Sequence, residues 1–552
     1  MTIGARLRSS GADRRVPDAV WLLGILGLAA FYRFFRLHVL PPGLYPDEAM
    51  NGNDALASLG SGRFAVFYPE NYGREGLFIW IVALSLKVLG TSVEALRVPS
   101  AVIGTLTVAT IYLLASELFG RRVAVLSSLL TAVSFWHVNF SRMSLRAILV
   151  PFVMSLAFGV LLRGLRTRRA SAVILAGALF GLGAYTYIAF RAAFLLLAAT
   201  LLLVPWGSWP AAAGRWSQVL PVARRWLPCA FLVAAGVVAL PLIAFSLRQP
   251  DEFGFRVHRV SVMAAEDPPE ALWRSAVLTG GMFFNRGDSN PRHSYRRAPV
   301  LPLSVSAFFG LGLVLAVTRA ITPRRGGRAD PIGCSILGDR RRAAFLLSWM
   351  VIMALPVVLT GRGVPHALRS IGMLPAVFIL AARGLVAAAD AAGRIHRMAP
   401  LALSLCVVGA AAVQGYRVYF VEWGRDPIVR EAFRQDLVEK AEYLKTLSSA
   451  SRAYVIANGR GLPVPYPDGL PMPAQTLLFL LHEDCARPAP AIACPTFVRP
   501  EAMESLEVDS LRPNSFLLLK DDSPEASWLS RRFPQGVWRR LGDSTVYVWP
   551  RS

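Results

Sequence analysis

Apolar runs separated by short arginine-rich loops dominate the chain from residue 19 to about residue 419. Several reach the roughly 18 residues that a helix needs to cross a hydrocarbon core. They lie at about 19–35, 98–118, 123–135, 145–162 and 227–245, then at 300–317 and 400–419, with one pair on either side of Tyr185–Tyr187 and another on either side of Thr360. The pattern predicts about eleven membrane spans. Residues 77–88 are apolar but too short to span, which suits an interfacial helix. Arginines cluster before the first run (Arg6, Arg8, Arg14, Arg15) and after alternate runs (Arg121 and Arg122; Arg163, Arg166, Arg168 and Arg169; Arg215, Arg224 and Arg225; Arg324 to Arg342; Arg394 and Arg397). The positive-inside rule puts these loops and the N-terminus in the cytoplasm. Loops 36–97 and 248–299 and the C-terminus are then external, as expected of a multi-pass protein of the plasma or inner membrane.

From about residue 422 the periodicity changes. Residues 426–447 read as an amphipathic helix, 452–457 and 515–520 as short buried strands, and 537–549 as a hairpin turning at Gly542-Asp543. The plan is a cytoplasmic stretch 1–18, a transmembrane domain 19–421 and an extracytoplasmic α/β domain 422–552. Cys485 and Cys494 bracket a proline- and alanine-rich stretch of that last domain. Oxidation is permitted on that side, so a disulfide between them is expected.

Composition removes several classes of function. Of 552 residues 54% are hydrophobic, and the mean hydropathy of +0.45 is too apolar for an ordinary soluble protein. In a soluble chain a net charge of +24 would suggest nucleic acid. Here the arginines sit in loops between apolar runs, so the partner is the lipid bilayer and no nucleic acid is expected. Phosphate-loop, dinucleotide, Ser-His-Asp and zinc-type Cys/His patterns are absent from the sequence, which argues against an ATP-driven pump. Few charges fall at mid-span, which counts against an ion-coupled transporter.

The polar clusters that remain fall on the external side. Asp47-Glu48, in the first loop behind Pro46, reads either as a solvated turn or helix start or as a base or metal ligand at the mouth of a cavity. In 136–146, His137 is followed by Arg142 and Arg146, four apart, which share a face if helical and suit a phosphate between them. Simple snorkelling to headgroups is the alternative. Arg191 follows Tyr185 and Tyr187 at the next outer turn. Residues 285–293 offer Asp288, Arg292 and His293: a carboxylate, a fixed cation and a metal ligand or proton carrier. His366 and Arg369, three apart, face one side if a helix starts at Pro365, where its N-terminus would favour an anion.

An acidic pair in the first external loop, followed by Gly73-Arg74-Glu75 and an interfacial helix, resembles the GT-C membrane glycosyltransferases. The nearest group is the bacterial family-39 type, related to protein O-mannosyltransferases and aminoarabinose transferases. Segments 137–146, 287–293 and 365–369 are similar to motifs of bacterial members, and the resemblance covers roughly residues 20–419. It implies transfer of a sugar from a polyprenyl-phosphate donor to a hydroxyl of a protein, lipid or glycan acceptor on the outer face, with inversion. Asp47 matches the expected general base, with Glu48 beside it. Arg142, Arg146, Arg191, His366 and Arg369 become candidates for the donor phosphate. Some relatives bind a divalent metal through acidic and histidine residues of these loops; Glu75 and His293 could fill that role, although Gly76 stands where many relatives have proline. Glu75, His137, Asp288, Arg292 and His293 are the outer-loop candidates for substrate or metal. A transporter or flippase of lipid-linked sugar, and a non-catalytic scaffold, are the other classes compatible with the pattern.

Overall fold

A computed structural model describes residues 18–204, 226–322, 336–361, 363–459 and 469–550. The expected cytoplasmic arginines before residue 18, at Arg215, Arg224 and Arg225, and at Arg324, Arg325 and Arg328 lie outside the described residues. Within them each expected span falls on a helix: α1 (Asp18–Phe34), α4 (Val93–Phe119), α5 (Arg121–Val133), α7 (Leu149–Thr167), α8 (Ala170–Gly183), α9 (Ala193–Leu203), and then Leu227–Arg248, Leu303–Ile321, Asp339–Val358, Leu374–Ala392 and Ala399–Tyr416. Among the described residues, seven helical segments are long and apolar enough to cross a bilayer by length and composition alone. The residues 77–88 form α3 (Leu77–Leu89) as expected.

Two regions depart from the sequence reading. Asp47 and Glu48 do not lie in a loop: they open α2 (Pro46–Ser61), with proline in its first turn and Gly62 closing it at a φ of 69°. Proline lacks the amide that the first turn leaves unbonded, and acidic residues favour the positive end of the helix dipole. The long loop after residue 248 contains two helices, Pro250–Val260 and Pro268–Gly281.

The far end of the bundle gathers its charges in pairs. Glu117 holds Arg166 at 2.6 Å, Arg122 meets Asp390 at 2.8 Å, and the Arg342 guanidinium donates to the Leu118 carbonyl.

The C-terminal region is a five-stranded sheet in the order β4-β3-β5-β7-β6, from β3 (Arg452–Ile456), β4 (Thr496–Val498), β5 (Asn514–Leu518), β6 (Val537–Leu541) and β7 (Ser544–Trp549). Strands β3, β4 and β5 are parallel, and the β6–β7 hairpin turns at Gly542, as its Gly-Asp pair predicts. Alternate residues face opposite sides. Ala453, Val455 and Leu517 meet the helices Gln435–Thr446 and Ala474–Leu480, while Tyr454, Ile456, Phe516 and Leu518 meet Pro524–Arg532. The expected helix 426–447 is broken, because Arg434 adopts a φ of 58° between Pro427–Ala432 and Gln435–Thr446. A disulfide joins Cys485 and Cys494.

This domain is seated on the first loop. A Cβ at Gly43 would lie 2.5 Å from the Phe433 carbonyl oxygen and 2.8 Å from the Gln435 nitrogen, so only glycine allows that approach. Phe479 packs on Gly52 of α2, and Thr476 donates to the Leu44 carbonyl at 3.1 Å.

Candidate active site

Successive residues of a helix project about 100° apart, and that separates the acidic pair. Asp47 is half-buried and lines a cavity of about 640 Å³. Glu48 points the other way and is fully buried. Both of its oxygens lie 3.1 Å from the Arg97 guanidinium, and Oε2 also accepts from the Ser144 amide at 2.8 Å. Arg97 donates further to the carbonyls of Pro41 and Gly43. Glu48 therefore ties α2 to α4 and to the start of the first loop. Its expected place beside the chemistry is corrected: a carboxylate held by a bidentate arginine inside the bundle meets no substrate.

Asp47 is oriented by two neighbours. The Asn71 side-chain amide donates to Oδ1, and the Tyr45 hydroxyl hydrogen-bonds the carboxylate. Burial, followed by the charge of Asp47, raises the Tyr45 phenol above its ordinary value, so it stays protonated. Asn71, Tyr72 and Gly73 have φ values of 52°, 62° and 85° in the turn joining β1 (Phe67–Tyr68) to β2 (Arg74–Glu75). Left-handed backbone at a tyrosine is strained. Here it brings Asn71 onto Asp47 and sets Arg74 at the cavity edge.

The cations of the cavity come from separate parts of the chain: Arg74 from β2, Arg146 from the segment before α7, Arg292, Arg369 and Arg434. Asp47 and Glu431 are the carboxylates among the lining residues. Arg74 is buried, donates to Asn51 at 3.0 Å and pairs with Asp54. Arg146 meets Glu75 at 2.9 Å, donates to the Gly73 carbonyl at 3.0 Å, and stacks over Tyr187. Arg292 lies 3.7 Å over the Tyr45 ring. Arg369 donates to Thr360 at 3.1 Å.

The other expected phosphate ligands do not reach this cavity. Arg142 and Arg146 share no helical face, because helix α6 (Phe135–Phe140) ends between His137 and Arg142 and the chain runs irregularly to residue 145. Arg142 is fully buried and donates to the carbonyls of Tyr32, Arg33, Phe35 and Leu40 and to the Tyr419 hydroxyl. It satisfies the unbonded carbonyls at the C-terminal end of α1. His137 is buried too, with Nδ1 2.6 Å from Arg33 Nη2. It is removed from the substrate candidates. Arg191 lies over the Phe253 ring at 3.8 Å and is not among the cavity lining. Glu75 faces Arg146 and so supports a cation.

Asp288 is buried and works as a clamp. It accepts from the amides of Asn290 and Ala367, each at 2.8 Å, and from His293 Nδ1 at 2.7 Å. Burial pushes its carboxyl up, but the hydrogen bond and charge of His293 and the charge of His366 outweigh this and leave it below its ordinary value. Burial lowers His293, against the pull of Asp288. His366 does not sit on a helix: it lies in irregular chain before a turn at residues 367–370, and the helix begins at Leu374 after a short 3-10 turn. The argument from a helix N-terminus at Pro365 therefore falls, while Arg369 still reaches the cavity. Asp288, His293 and His366 bring ligand atoms within 4.8 Å of one another. A carboxylate with two imidazoles suits a zinc-like ion in donor chemistry. Glu75, expected to join His293, is paired with Arg146 instead.

The sequence reading overlooked Tyr45, Asn51, Asn71, Glu431 and Arg434. Asp47, Asn51 and Asp54 recur at helical spacing, a signal that was available in the sequence. Glu431 and Arg434 come from the C-terminal domain, and no local pattern ties them to the first loop.

Comparison with known proteins agrees with this architecture. A family model described as dolichyl-phosphate-mannose-protein mannosyltransferase matches residues 77–243. No curated protein matches in sequence. Among solved structures, ArnT from Cupriavidus metallidurans bound to undecaprenyl phosphate is similar over 97% of this chain and 99% of its own, with a TM-score of 0.55 at 14% identity. Its apo state gives 0.57 at 13% identity over 96% and 98%. The chain is a polytopic α-helical membrane protein with a small C-terminal α/β domain, and its fold is that of the GT-C membrane glycosyltransferases.

Proposed function

We propose that this chain is a glycosyltransferase that moves a sugar from a polyprenyl-phosphate donor to an acceptor hydroxyl, with Asp47 as general base. One observation carries the reading: the half-buried carboxylate of Asp47 and the guanidinium groups of Arg74, Arg146, Arg292 and Arg369 line the same cavity. The acceptor oxygen attacks the anomeric carbon, the bond from that carbon to the phosphate oxygen breaks, and Asp47 takes the hydroxyl proton. The departing phosphate carries the electron pair of the broken bond, and preorganised cations stabilise that charge as it develops. A single displacement inverts the anomeric centre. Tyr45 and Asn71 hold the base in position, and Arg292 over Tyr45 adds positive charge beside it.

The site faces the extracytoplasmic side on this reading. The paired arginines at the far end of the bundle, together with the Cys485–Cys494 disulfide of the C-terminal domain, support it. Impermeant thiol labelling of a cysteine introduced at the exposed residue 286, two positions before Asp288, reads the orientation. A divalent cation at Asp288, His293 and His366 would add positive charge next to the segment that carries Arg369, and elemental analysis of the purified protein reads its presence.

The deciding experiment is a matched pair of purified variants, with donor binding and transfer measured separately. Asp47→Asn is expected to bind donor and lose on the order of a hundredfold or more in turnover. Glu48→Gln is expected to lose folded protein while its folded fraction turns over normally. Normal transfer by Asp47→Asn would mean that another group is the base, whereas binding of donor by the unaltered chain with no release of polyprenyl phosphate would leave a transporter of lipid-linked sugar as the better reading, because that role needs the arginines and no base.

A further inference from the structure

We infer that the crevice at the carboxyl ends of β3 and β5 in the C-terminal domain binds a saccharide, the hydroxyl-bearing part of the acceptor; this rests on the transferase reading above. In open parallel sheets the ligand crevice lies outside the carboxyl ends of two neighbouring strands whose connections leave in opposite directions. Strands β3 and β5 meet that condition. The chain leaves β3 through Ala474–Leu480 toward β4 at one edge, and leaves β5 through Pro524–Arg532 toward β6 at the other. The two helices cover opposite faces of the sheet.

A cavity of about 560 Å³ opens at this point. Gly459, just beyond β3, and Leu519, Lys520 and Asp521, just beyond β5, form its floor. Glu431, Arg434 and Pro473 border both this crevice and the cavity of Asp47. Arg434 joins them physically: it donates to the Leu519 carbonyl at 2.7 Å from the crevice side and lines the wall of the first cavity. A ligand seated in the crevice therefore adjoins the space in which the base waits.

The lining chemistry selects the class. The crevice carries Arg430, Arg434 and Lys520 against Glu431, Asp436, Asp521 and Asp543, and no aromatic side chain lines it among the described residues. Mixed donors and acceptors match a polyol, whose hydroxyls both give and accept hydrogen bonds. An acyl chain finds no apolar trough there. A peptide would need a free strand edge or an apolar groove, and β3 and β5 are paired on both sides. The volume is that of a small-ligand pocket.

The test uses the full chain in nanodiscs. Binding of free mono- and oligosaccharides (neutral, uronic and amino) is read by saturation-transfer NMR, and release of polyprenyl phosphate from a panel of labelled donors is read in parallel. At least one saccharide is expected to bind and to accelerate release. Lys520→Glu is expected to weaken that saccharide about tenfold or more, the change that one charge-assisted hydrogen bond carries, with donor affinity moving less than about twofold. Lys520 is exposed, so the substitution leaves the core intact. Arg430→Gln is the second variant, expected to change saccharide affinity in the same direction. Donor release with no saccharide binding, acceleration by peptides alone, or unchanged saccharide affinity in both variants would overturn the assignment. Saccharide binding without release from any donor would instead count against the transferase reading and leave the crevice as a sugar site.

Discussion

Residues 136–142 and residues 143–147 are adjacent, and each carries an arginine that sequence alone suits to a phosphate. The first stretch turns into the bundle. Arg142 there meets four backbone carbonyls and a tyrosine hydroxyl, and His137 meets Arg33. The second stretch turns to the cavity, where Arg146 lines the wall with Glu75 beside it. An arginine surrounded by fixed acceptors has its donors already used and serves as a bracket. One that lines a cavity lies where a ligand can meet it. Four residues of chain without helical repeat are enough to divide the two roles.

That contrast is broken most directly at Arg142. Arg142→Ala would leave the carbonyls of Tyr32, Arg33, Phe35 and Leu40 without their donor, at about 1–3 kcal/mol for each buried group left unpaired. The expected outcome is little or no folded protein, read by size exclusion and thermal unfolding in detergent, with scant rescue by Arg142→Lys, whose single ammonium cannot span those acceptors. Near-normal stability with impaired donor binding would restore Arg142 to the phosphate site. Arg146 provides the opposite arm. Arg146→Gln is combined with Glu75→Gln, so that no carboxylate is left buried without its partner. Donor KM should rise about tenfold or more while the melting temperature stays close to wild type. An unchanged KM would mean that Arg146 is a bracket too. The smallest effect is expected at Arg191, which stacks on Phe253 away from the cavity. Arg191→Ala should leave donor KM within about twofold and cost about 0.5–1 kcal/mol of stability, the worth of a partly exposed cation–π contact. A tenfold loss of donor affinity there would extend the site to the turn at residues 188–192.

The same logic explains which features were legible before the structure. Helix positions were readable because twenty apolar residues in a row have few folded alternatives in a bilayer. Asp47 was readable because proline and two carboxylates together are unusual at the end of an apolar run. Glu48 was not separable from it, since their division depends on Arg97, which lies 49 positions away. Asp288 and His293 were grouped from their place in one loop, but their direction toward the Ala367 amide and His366 follows from a contact across 79 residues. The C-terminal domain was read as a separate extracytoplasmic α/β domain of residues 422–552. Its packing on Gly43 and Gly52 makes it a wall of the cavity instead.

By itself the amino-acid sequence determined the class of molecule: a polytopic helical bundle, a mixed α/β tail with a two-residue hairpin turn and a disulfide, and an acidic pair where the first apolar run ends. These follow from short-range physics, namely the length of an apolar run, the period of a pattern and the turn chemistry of glycine and proline. Tertiary structure alone decided which polar groups border the cavity. A buried arginine or carboxylate takes whatever acceptor or donor lies within about 3 Å. For Arg142, Glu48 and Asp288 that partner is the protein's own distant backbone or side chain, and for Asp47, Arg146 and Arg369 a shared cavity lies alongside.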